Sequence, residues 1–571
     1  MKTRKILLAL VTTILMVVTL CIPAFAADTF TITIKPNTAD KATHTYEAYQ
    51  ILAGDISGTT LSNITWGTGV NAEPASGDTL IQALIKANDV FTGCTNAAEI
   101  ADKLADPSLT TEELIDIAKV FGDYLSTTHT DGQSSITGLA AGYYLVKDKD
   151  AALNNSEAAY TNLILRLVRN IEVNVKTEIP TIDKNITEEG AEPAKTASYS
   201  IGDDVPFTLT SKVPDMTGYN AYYFVINDTM SEGLTFNDDV EIQILDDDGT
   251  AIKSLADTEF DVDSDAESGE VEIILKNFIQ YNTSEFIGKE ISVTYTCRLN
   301  EDAEIGETAN NANTVTLTFS NNPNFDYDGT IDAPPPPDPE NPENDVPVGQ
   351  TPPSEVKVYT SGIQLVKVDS DTLERLSGAE FTITGDGVKD TVQITYSYEK
   401  AADGTFYKLT DGSYTETAPT ELTKDKYEST EDLYKLTKNV SVKGDTDYVK
   451  GVGKVGDDGV ISFVGLNKGV YKVEETVTPD GYNSIEPFEI EIDSKLTDTS
   501  CTWSAKLVED NTALSANGDN LFEVIVKNSK GAILPATGGI GTKLFYIIGS
   551  ILVLSAVVVF ITQKRMRSQE K

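Results

Sequence analysis

The sequence predicts a mainly β protein, built as tandem immunoglobulin-like β-sandwich domains, the first with a helical insertion, and closed by a C-terminal transmembrane helix. Three observations carry this reading. Short β runs bounded by turn residues recur along the chain, as at Val271-Glu272-Ile273-Ile274-Leu275 and Thr314-Val315-Thr316-Leu317-Thr318-Phe319. Helix-period apolar residues occur near the N-terminus, at Leu80, Ile81, Leu84 and Ile85 and again at Leu114, Ile115, Ala118, Val120 and Phe121. An uncharged run near the C-terminus is long enough to span a bilayer and precedes basic residues.

The 571 residues suit about three or four domains. A net charge of -45 repels phosphate backbones and argues against nucleic-acid binding. Two histidines leave little for a metal centre or a Ser-His-Asp triad, and no acid pair or nucleophile–base set stands out for a hydrolase. Neither a metal nor a cofactor is expected. Hydrophobic residues at 40% suffice for ordinary cores.

Residues 1–26 read as a secretory signal peptide: Lys2, Arg4 and Lys5, an apolar run, then Ala24-x-Ala26. Cys94, Cys297 and Cys501 remain after its removal, too far apart to suggest a disulfide framework, and read as isolated buried thiols. At the other end, residues 544–562 form the candidate membrane span, and the tail 563–571 carries Lys564, Arg565, Arg567 and Lys571. Upstream stands Leu534-Pro535-Ala536-Thr537-Gly538. Pentapeptide, apolar span and basic tail together resemble the LPxTG sorting signal of Gram-positive surface proteins. The resemblance implies that a sortase cuts between Thr537 and Gly538 and passes the Thr537 acyl group to an amine, so that the span holds the chain in the membrane only transiently.

Between the ends, residues 27–177 open with alternating Phe30, Ile32 and Ile34 and contain the helical runs, the second begun by a Thr110/Glu113 capping box. Residues 178–332 form a middle β-sandwich, and 333–355 a Pro-rich linker starting at Ala333-Pro334-Pro335-Pro336-Pro337. Residues 356–530 form a third, all-β domain. Within it, Tyr398-Glu399 leading to Tyr407-Lys408-Leu409-Thr410 nearly repeats as Tyr427-Glu428 leading to Tyr434-Lys435-Leu436-Thr437, which reads as a pair of inserted hairpins with exposed tyrosines or as a ligand-binding insert.

Gly138-Leu139-Ala140-Ala141-Gly142-Tyr143-Tyr144 matches Gly465-Leu466-Asn467-Lys468-Gly469-Val470-Tyr471, which suggests shared ancestry for the first and third domains. The second copy runs on as Tyr471-Lys472-Val473-Glu474-Glu475-Thr476-Val477-Thr478-Pro479-Asp480-Gly481-Tyr482. This closely resembles the E-box, YxLxETxAPxGY, of Gram-positive pilins. With the opening strand Ile363-Gln364-Leu365-Val366-Lys367-Val368-Asp369 it makes the third domain resemble a Cna B-type module. Tyr46-Glu47-Ala48-Tyr49-Gln50-Ile51-Leu52-Ala53-Gly54-Asp55 is similar to the first domain of pilus shaft subunits.

That resemblance implies self-made Lys–Asn isopeptide bonds, whose physics can be stated independently. Burial strips the proton from lysine and keeps it on a carboxyl; a neutral amine beside an amide, with an acid to polarise it, displaces ammonia. The expected sets are Lys367, Asn528 and the acid Glu475 in the third domain, and Lys184, Asn321 and the acid Asp228 in the middle one, with Asn322 as a rival amide. In the first domain Lys35 is the candidate lysine, but Thr177 stands where the asparagine belongs, and Asp148 aligns with Glu475. Val173-Asn174-Val175-Lys176-Thr177 keeps the lysine of the shaft-pilin VYPKN-like motif without its Tyr-Pro pair, which makes Lys176 the expected polymerisation nucleophile and Lys184 the alternative. The implied function is the structural subunit of a sortase-assembled pilus shaft, secreted and anchored to the cell wall. Its partners would be a pilus-class and a housekeeping sortase, further copies of itself, peptidoglycan, and as further candidates accessory pilins and a host ligand. A monomeric wall-anchored adhesin and an accessory pilin are the alternatives, and no enzyme activity is implied beyond the single-turnover internal bonds.

Overall fold

Alternation of apolar and polar side chains is the rule along the strands, and it places the interior of each sandwich. The computed structural model describes residues 29–35, 42–154, 156–174, 179–335 and 346–531. The chain forms two compact units. One comprises the described residues up to 197 with 204–298 and 310–357, so the expected first and middle domains fall together in it; the other takes 198–203, 299–309 and 358 onward.

In the first unit, Thr60–Trp66, Tyr46–Ser57, Gly142–Asp148 and Asn162–Leu167 form one sheet in that order, and Ser135–Leu139, Phe30–Lys35 and Ile171–Asn174 another. Helices Leu80–Ala87, Ala97–Leu104 and Thr111–Asp123 bury Leu80, Leu84, Ile100, Ile117 and Phe121 in the core that also holds Ile51 and Leu145. Capping boxes start two of them, Thr79 with Gln82 and Thr110 with Glu113 as expected, satisfying backbone donors that the first turn leaves open. The middle helix, capped by Asn96, lies in a stretch where the sequence reading gave no helix.

The same unit contains a two-sheet sandwich. One sheet orders Ala251–Ser254, Glu241–Leu245, Glu290–Leu299, Asp204–Lys212 and Asp183–Ile186; the other includes Asn311–Ser320, Phe224–Met230, Glu270–Leu275 and Phe260–Asp265 in that order. Val348–Gln350 pairs antiparallel with Thr318–Ser320, and Thr351 N–H donates to the Leu317 carbonyl at 3.0 Å. This corrects the expected 333–355 linker: between Pro347 and Pro352 the segment serves as sheet, because the strand Asn311–Ser320 has an edge whose backbone groups need partners.

In the second unit one sheet orders Tyr434–Ser441, Val392–Lys400, Val460–Leu466, Ser361–Asp369 and Phe522–Asn528; the other runs Val452–Lys454, Glu380–Thr384, Gly469–Val477, Phe488–Leu496, Cys501–Leu507 and Ala513–Leu514. The opening and closing strands pair in parallel, Leu365 opposite Val524 and Lys367 opposite Val526. Their shared core includes Ile363, Leu365, Phe463, Tyr471, Val473, Phe522, Val524 and Val526.

The sequence near-repeat does not form two separate hairpins. Tyr398 pairs with Leu436, so the first copy's opening strand is zipped to the second copy's closing one. The tyrosines are half-buried against each other rather than exposed: Tyr398 stacks on Tyr414 with ring centroids 4.0 Å apart, and Tyr414 meets Tyr434 edge-on at 5.2 Å. The other repetition has one physical meaning in both copies. Gly138 and Gly465 take positive φ of 76° and 88°, and the tyrosine six residues on reaches back to a main-chain carbonyl, Tyr144 to Ala140 at 3.0 Å and Tyr471 to Asn467 at 2.5 Å.

Cys94, Cys297 and Cys501 are buried and unpaired with one another, as expected. Among the described residues no helix is long and apolar enough to cross a membrane; the signal peptide, the sorting pentapeptide and the 544–562 span lie outside the described residues.

Candidate functional site

Two constellations of lysine, carboxyl and amide are sealed in the interior, one in each unit. In the second unit, the pleat of Ser361–Asp369 buries Lys367 completely, and the neighbouring strand ends with Asn528 equally buried. The Lys367 ammonium donates to Asn528 Oδ1 at 2.5 Å and to the Val526 carbonyl at 3.1 Å. Glu475 reaches over from the facing sheet, on the inward run Tyr471, Val473, Glu475. Its carboxylate oxygens accept from Asn528 Nδ2 at 2.9 and 3.0 Å, and Oε1 lies 3.8 Å from Lys367 Nζ. Burial pushes the lysine down to about 8, with Glu475 opposing. The structure thus brings together the three residues selected from the sequence.

Asp369 and Tyr482 close this corner. Tyr482 OH donates to Asp369 Oδ2 at 2.8 Å, while Asp369 accepts from the main-chain N–H of Asp371 and Thr372. Those two backbone donors, then Tyr482 and Lys530, hold the Asp369 carboxyl far below its usual range. The Lys-x-Asp strand and the final tyrosine of the E-box therefore meet in space.

In the sandwich of the first unit, Lys184 is fully buried on Asp183–Ile186 and points across to the opposite sheet. Its ammonium donates to Asp228 Oδ1 at 2.5 Å and to Asn313 Oδ1. The rings of Phe207 and Tyr295 flank it, with centroids 5.3 and 5.4 Å from Nζ. Tyr295 OH donates to the other oxygen of Asp228 and accepts from Asn313 Nδ2 at 2.9 Å. Burial pushes Lys184 down to about 8 against the pull of Asp228, and burial with Asp228 raises the Tyr295 phenol well above its usual value.

Here the sequence expectation requires correction. Asn321 does not lie beside Lys184. It sits past the end of Asn311–Ser320, where its side-chain amide donates to the carbonyls of Leu153 and Ala158, each at 3.0 Å, and its main-chain carbonyl accepts from Tyr160 N–H at 2.7 Å. Its rival Asn322 is engaged in the same turn, accepting from Asn324 N–H. The amide at the lysine is Asn313, near the start of the strand. The inward alternation Val315, Leu317, Phe319 extended backwards reaches Asn313 and Asn311, so the signal was present; the expectation instead transferred the strand-end position of Asn528. Tyr295 was also missed. The acid Asp228 stands where the sequence placed it.

Among its described residues, the first β region shows no such set. Ile34 is paired with Val173 as Leu365 is with Val524, so Lys35 takes the position of Val366 and not that of Lys367. Lys35 itself lies on the outer face, its side chain 57% exposed and 2.7 Å from Glu172, and does not fit the role of a buried amine. Asp148, aligned with Glu475, is buried and bound to His44 Nδ1 at 2.8 Å and Thr161 N–H at 2.8 Å. Lys176 and Thr177 lie outside the described residues. Glu47, His129 and Asp131 hold ligand-type atoms within 4.8 Å of one another, but Glu47 already accepts from Tyr49 OH at 2.8 Å and lies 3.5 Å from the Lys147 ammonium, so it has cationic and protic partners of its own.

Comparison with known proteins adds to this geometry. Residues 201–323 match the family described as Gram-positive pilin backbone subunit 2, Cna-B-like domain, and residues 418–506 match the SpaA prealbumin-like fold domain. The chain is 29% identical over 412 residues to the trypsin-resistant surface T6 protein of Streptococcus pyogenes serotype M6, covering 68% of this chain and 70% of that one. It is also similar to the solved T6 backbone pilin of that organism, at 16% identity and a TM-score of 0.48 over 89% of this chain and 99% of that one. The full-length major pilin SpaD of Corynebacterium diphtheriae aligns at 16% identity and a TM-score of 0.44 over 90% and 99%. The chain thus carries a Gram-positive pilin backbone Cna-B-like domain and a SpaA domain and is similar to the T6 surface protein along most of its length.

Proposed function

We propose that this chain is a backbone pilin, a shaft subunit built of tandem Cna B-type sandwiches, which locks two of its own sandwiches with Lys–Asn isopeptide bonds, Lys184 to Asn313 and Lys367 to Asn528, and is joined head-to-tail by a sortase. The observation that carries the first part is the pair of fully buried lysines, each in contact with an amide oxygen and close to a carboxyl group. Burial favours the neutral amine, which attacks the amide carbon; the carboxyl takes up the proton and returns it to the departing nitrogen, releasing ammonia. Geometry held by strands replaces the entropy cost of bringing amine and amide together.

Assembly is read from the chain ends. A pilus-class sortase cleaves after Thr537 while residues 544–562 hold the precursor in the membrane, and the thioester is resolved by Lys176 of the next subunit. One donor and one acceptor per copy give an open linear polymer. A housekeeping sortase then transfers the finished fibre to peptidoglycan, which leaves it on the cell surface.

Intact-mass analysis of the mature ectodomain tests the internal bonds, with the loss of two ammonias expected; an unmodified mass sinks them. In sortase-expressing cells, Lys176→Ala should abolish the SDS-resistant ladder and leave monomer secretion intact. A persisting ladder would remove Lys176 from the role.

A further inference from the structure

The two buried sites differ in who touches the leaving group. At the site of Lys367, the carboxylate of Glu475 spans the whole reaction centre, with Asn528 Nδ2 at 2.9 Å and Lys367 Nζ at 3.8 Å. At the site of Lys184, the shorter Asp228 binds the amine through Oδ1, but its second oxygen accepts from Tyr295 OH. It is the phenol oxygen that meets Asn313 Nδ2, at 2.9 Å. The ring is fixed by packing on Phe207, centroids 5.5 Å apart, and on Phe236, at 5.6 Å.

We infer that Tyr295 is a catalytic residue of the middle sandwich, relaying a proton from Asp228 to the amide nitrogen that departs as ammonia. This deepens the reading of Lys184 and Asn313 as an isopeptide pair and rests on it. The steps balance as follows. The ammonium of Lys184 gives one proton to Asp228, leaving a neutral amine and a carboxylic acid. Nζ bonds to Cγ of Asn313, and the carbonyl π-bond opens onto Oδ1. Tyr295 passes its hydroxyl proton to Nδ2 as it receives the acid proton of Asp228, and the attached Nζ returns a proton to the Asp228 carboxylate. Closure of the carbonyl breaks the Cγ–Nδ2 bond. One ammonia leaves and carries off the proton left on Asp228, as ammonium; one isopeptide bond remains, and Tyr295 and Asp228 return to their starting forms.

Two arguments support a relay over simple packing. A neutral amide nitrogen is a poor leaving group and needs a proton at the moment the bond breaks, and among the described residues it is the phenol that lies within hydrogen-bonding distance of Nδ2. Asp228 is also one methylene shorter than Glu475, and the phenol occupies the gap that this leaves between carboxyl and amide.

The test follows freshly synthesised full-length ectodomain by intact mass, with peptide mapping to assign each bond. The unsubstituted chain must lose two ammonias, one from Asn313; if it does not, the isopeptide reading itself fails and the relay with it. Given that result, Tyr295→Phe keeps the ring and should slow the Lys184–Asn313 bond on the order of a hundredfold, while Lys367–Asn528 forms at its usual rate in the same molecules. Adding Asp228→Glu to Tyr295→Phe gives the carboxyl the reach of Glu475 and should restore most of the rate. An unchanged rate in Tyr295→Phe overturns the proposal. So does a slowed rate that Asp228→Glu fails to restore, since that pattern belongs to a tyrosine needed only for packing.

Discussion

The Lys367 and Lys184 sites solve one problem with opposite geometries. Lys367 and Asn528 are neighbours on parallel strands of one sheet, and the acid arrives from the facing sheet. Lys184 stands alone on its sheet and reaches across the interior to Asp228 and Asn313, which lie together on adjacent strands of the other. The contrast teaches that the chemistry constrains burial and contact and leaves topology free. An amide can be supplied by whichever inward position faces the lysine, so a strand-end position is no guide by itself.

The largest effect expected from this comparison comes from removing either tie. The partners are 161 residues apart in one site and 129 in the other, and a crosslink closing loops of that size stabilises by about 5 kcal/mol in the chain-entropy model. Glu475→Ala and Asp228→Ala should therefore each restore one ammonia to the intact mass and lower the unfolding temperature by similar amounts. Unequal losses would show that the two ties constrain the unfolded chain differently.

A second experiment separates the two asparagines of the middle sandwich. Asn313→Leu should remove its crosslink, whereas Asn321→Ala should keep it and instead strand the carbonyls of Leu153 and Ala158, at a cost of about 1–3 kcal/mol. Peptide mapping that finds Lys184 joined to residue 321 would reverse the assignment.

The pH dependence sharpens the likeness between the sites. Burial lowers both lysines from their ordinary value to about 8, so about one in ten is neutral at pH 7. The rate of bond formation in newly made protein should rise with pH up to about 8 and level off above it. A rate that stays flat from pH 6 to 9 would mean that deprotonation of lysine does not limit the reaction. The smallest effect belongs to the first β region: Lys35→Ala removes an exposed pair with Glu172, worth about 0–1 kcal/mol, and should leave the mass of the ectodomain shifted by the substitution alone.

What could be read from the sequence follows the strength of local signals. Alternating strands, the Thr110/Glu113 capping box and the set Lys367, Glu475 and Asn528 were legible because each depends on residues close in sequence or on a long motif. Asp228 was legible as an acid on a strand with Val225 and Ile226. Asn313 was not selected, because choosing between Asn311, Asn313, Asn321 and Asn322 needs the position of Lys184 on the opposite sheet, which no local pattern carries. Tyr295 failed for a similar reason: a tyrosine on an alternating strand looks like core until its hydroxyl is seen between a carboxyl and an amide. The half-buried tyrosines of the insert were misjudged as exposed, since Tyr407 of one repeat copy meets Tyr427 of the other edge-on and Tyr414 packs between Tyr398 and Tyr434.

The parallel pairing of Ser361–Asp369 with Phe522–Asn528 has a mechanical consequence. When a fibre is pulled, tension entering near the C-terminal end would meet Asn528 and, through the proposed covalent tie, pass directly to Lys367. The residues between them, including the hairpin Val392–Lys400 with Tyr434–Ser441 and its tyrosine-rich extension, hang beside that load path as a slack loop. They can grow, shrink or unravel without lengthening the fibre. Surface variation can thus accumulate there while the tensile properties of the shaft stay fixed.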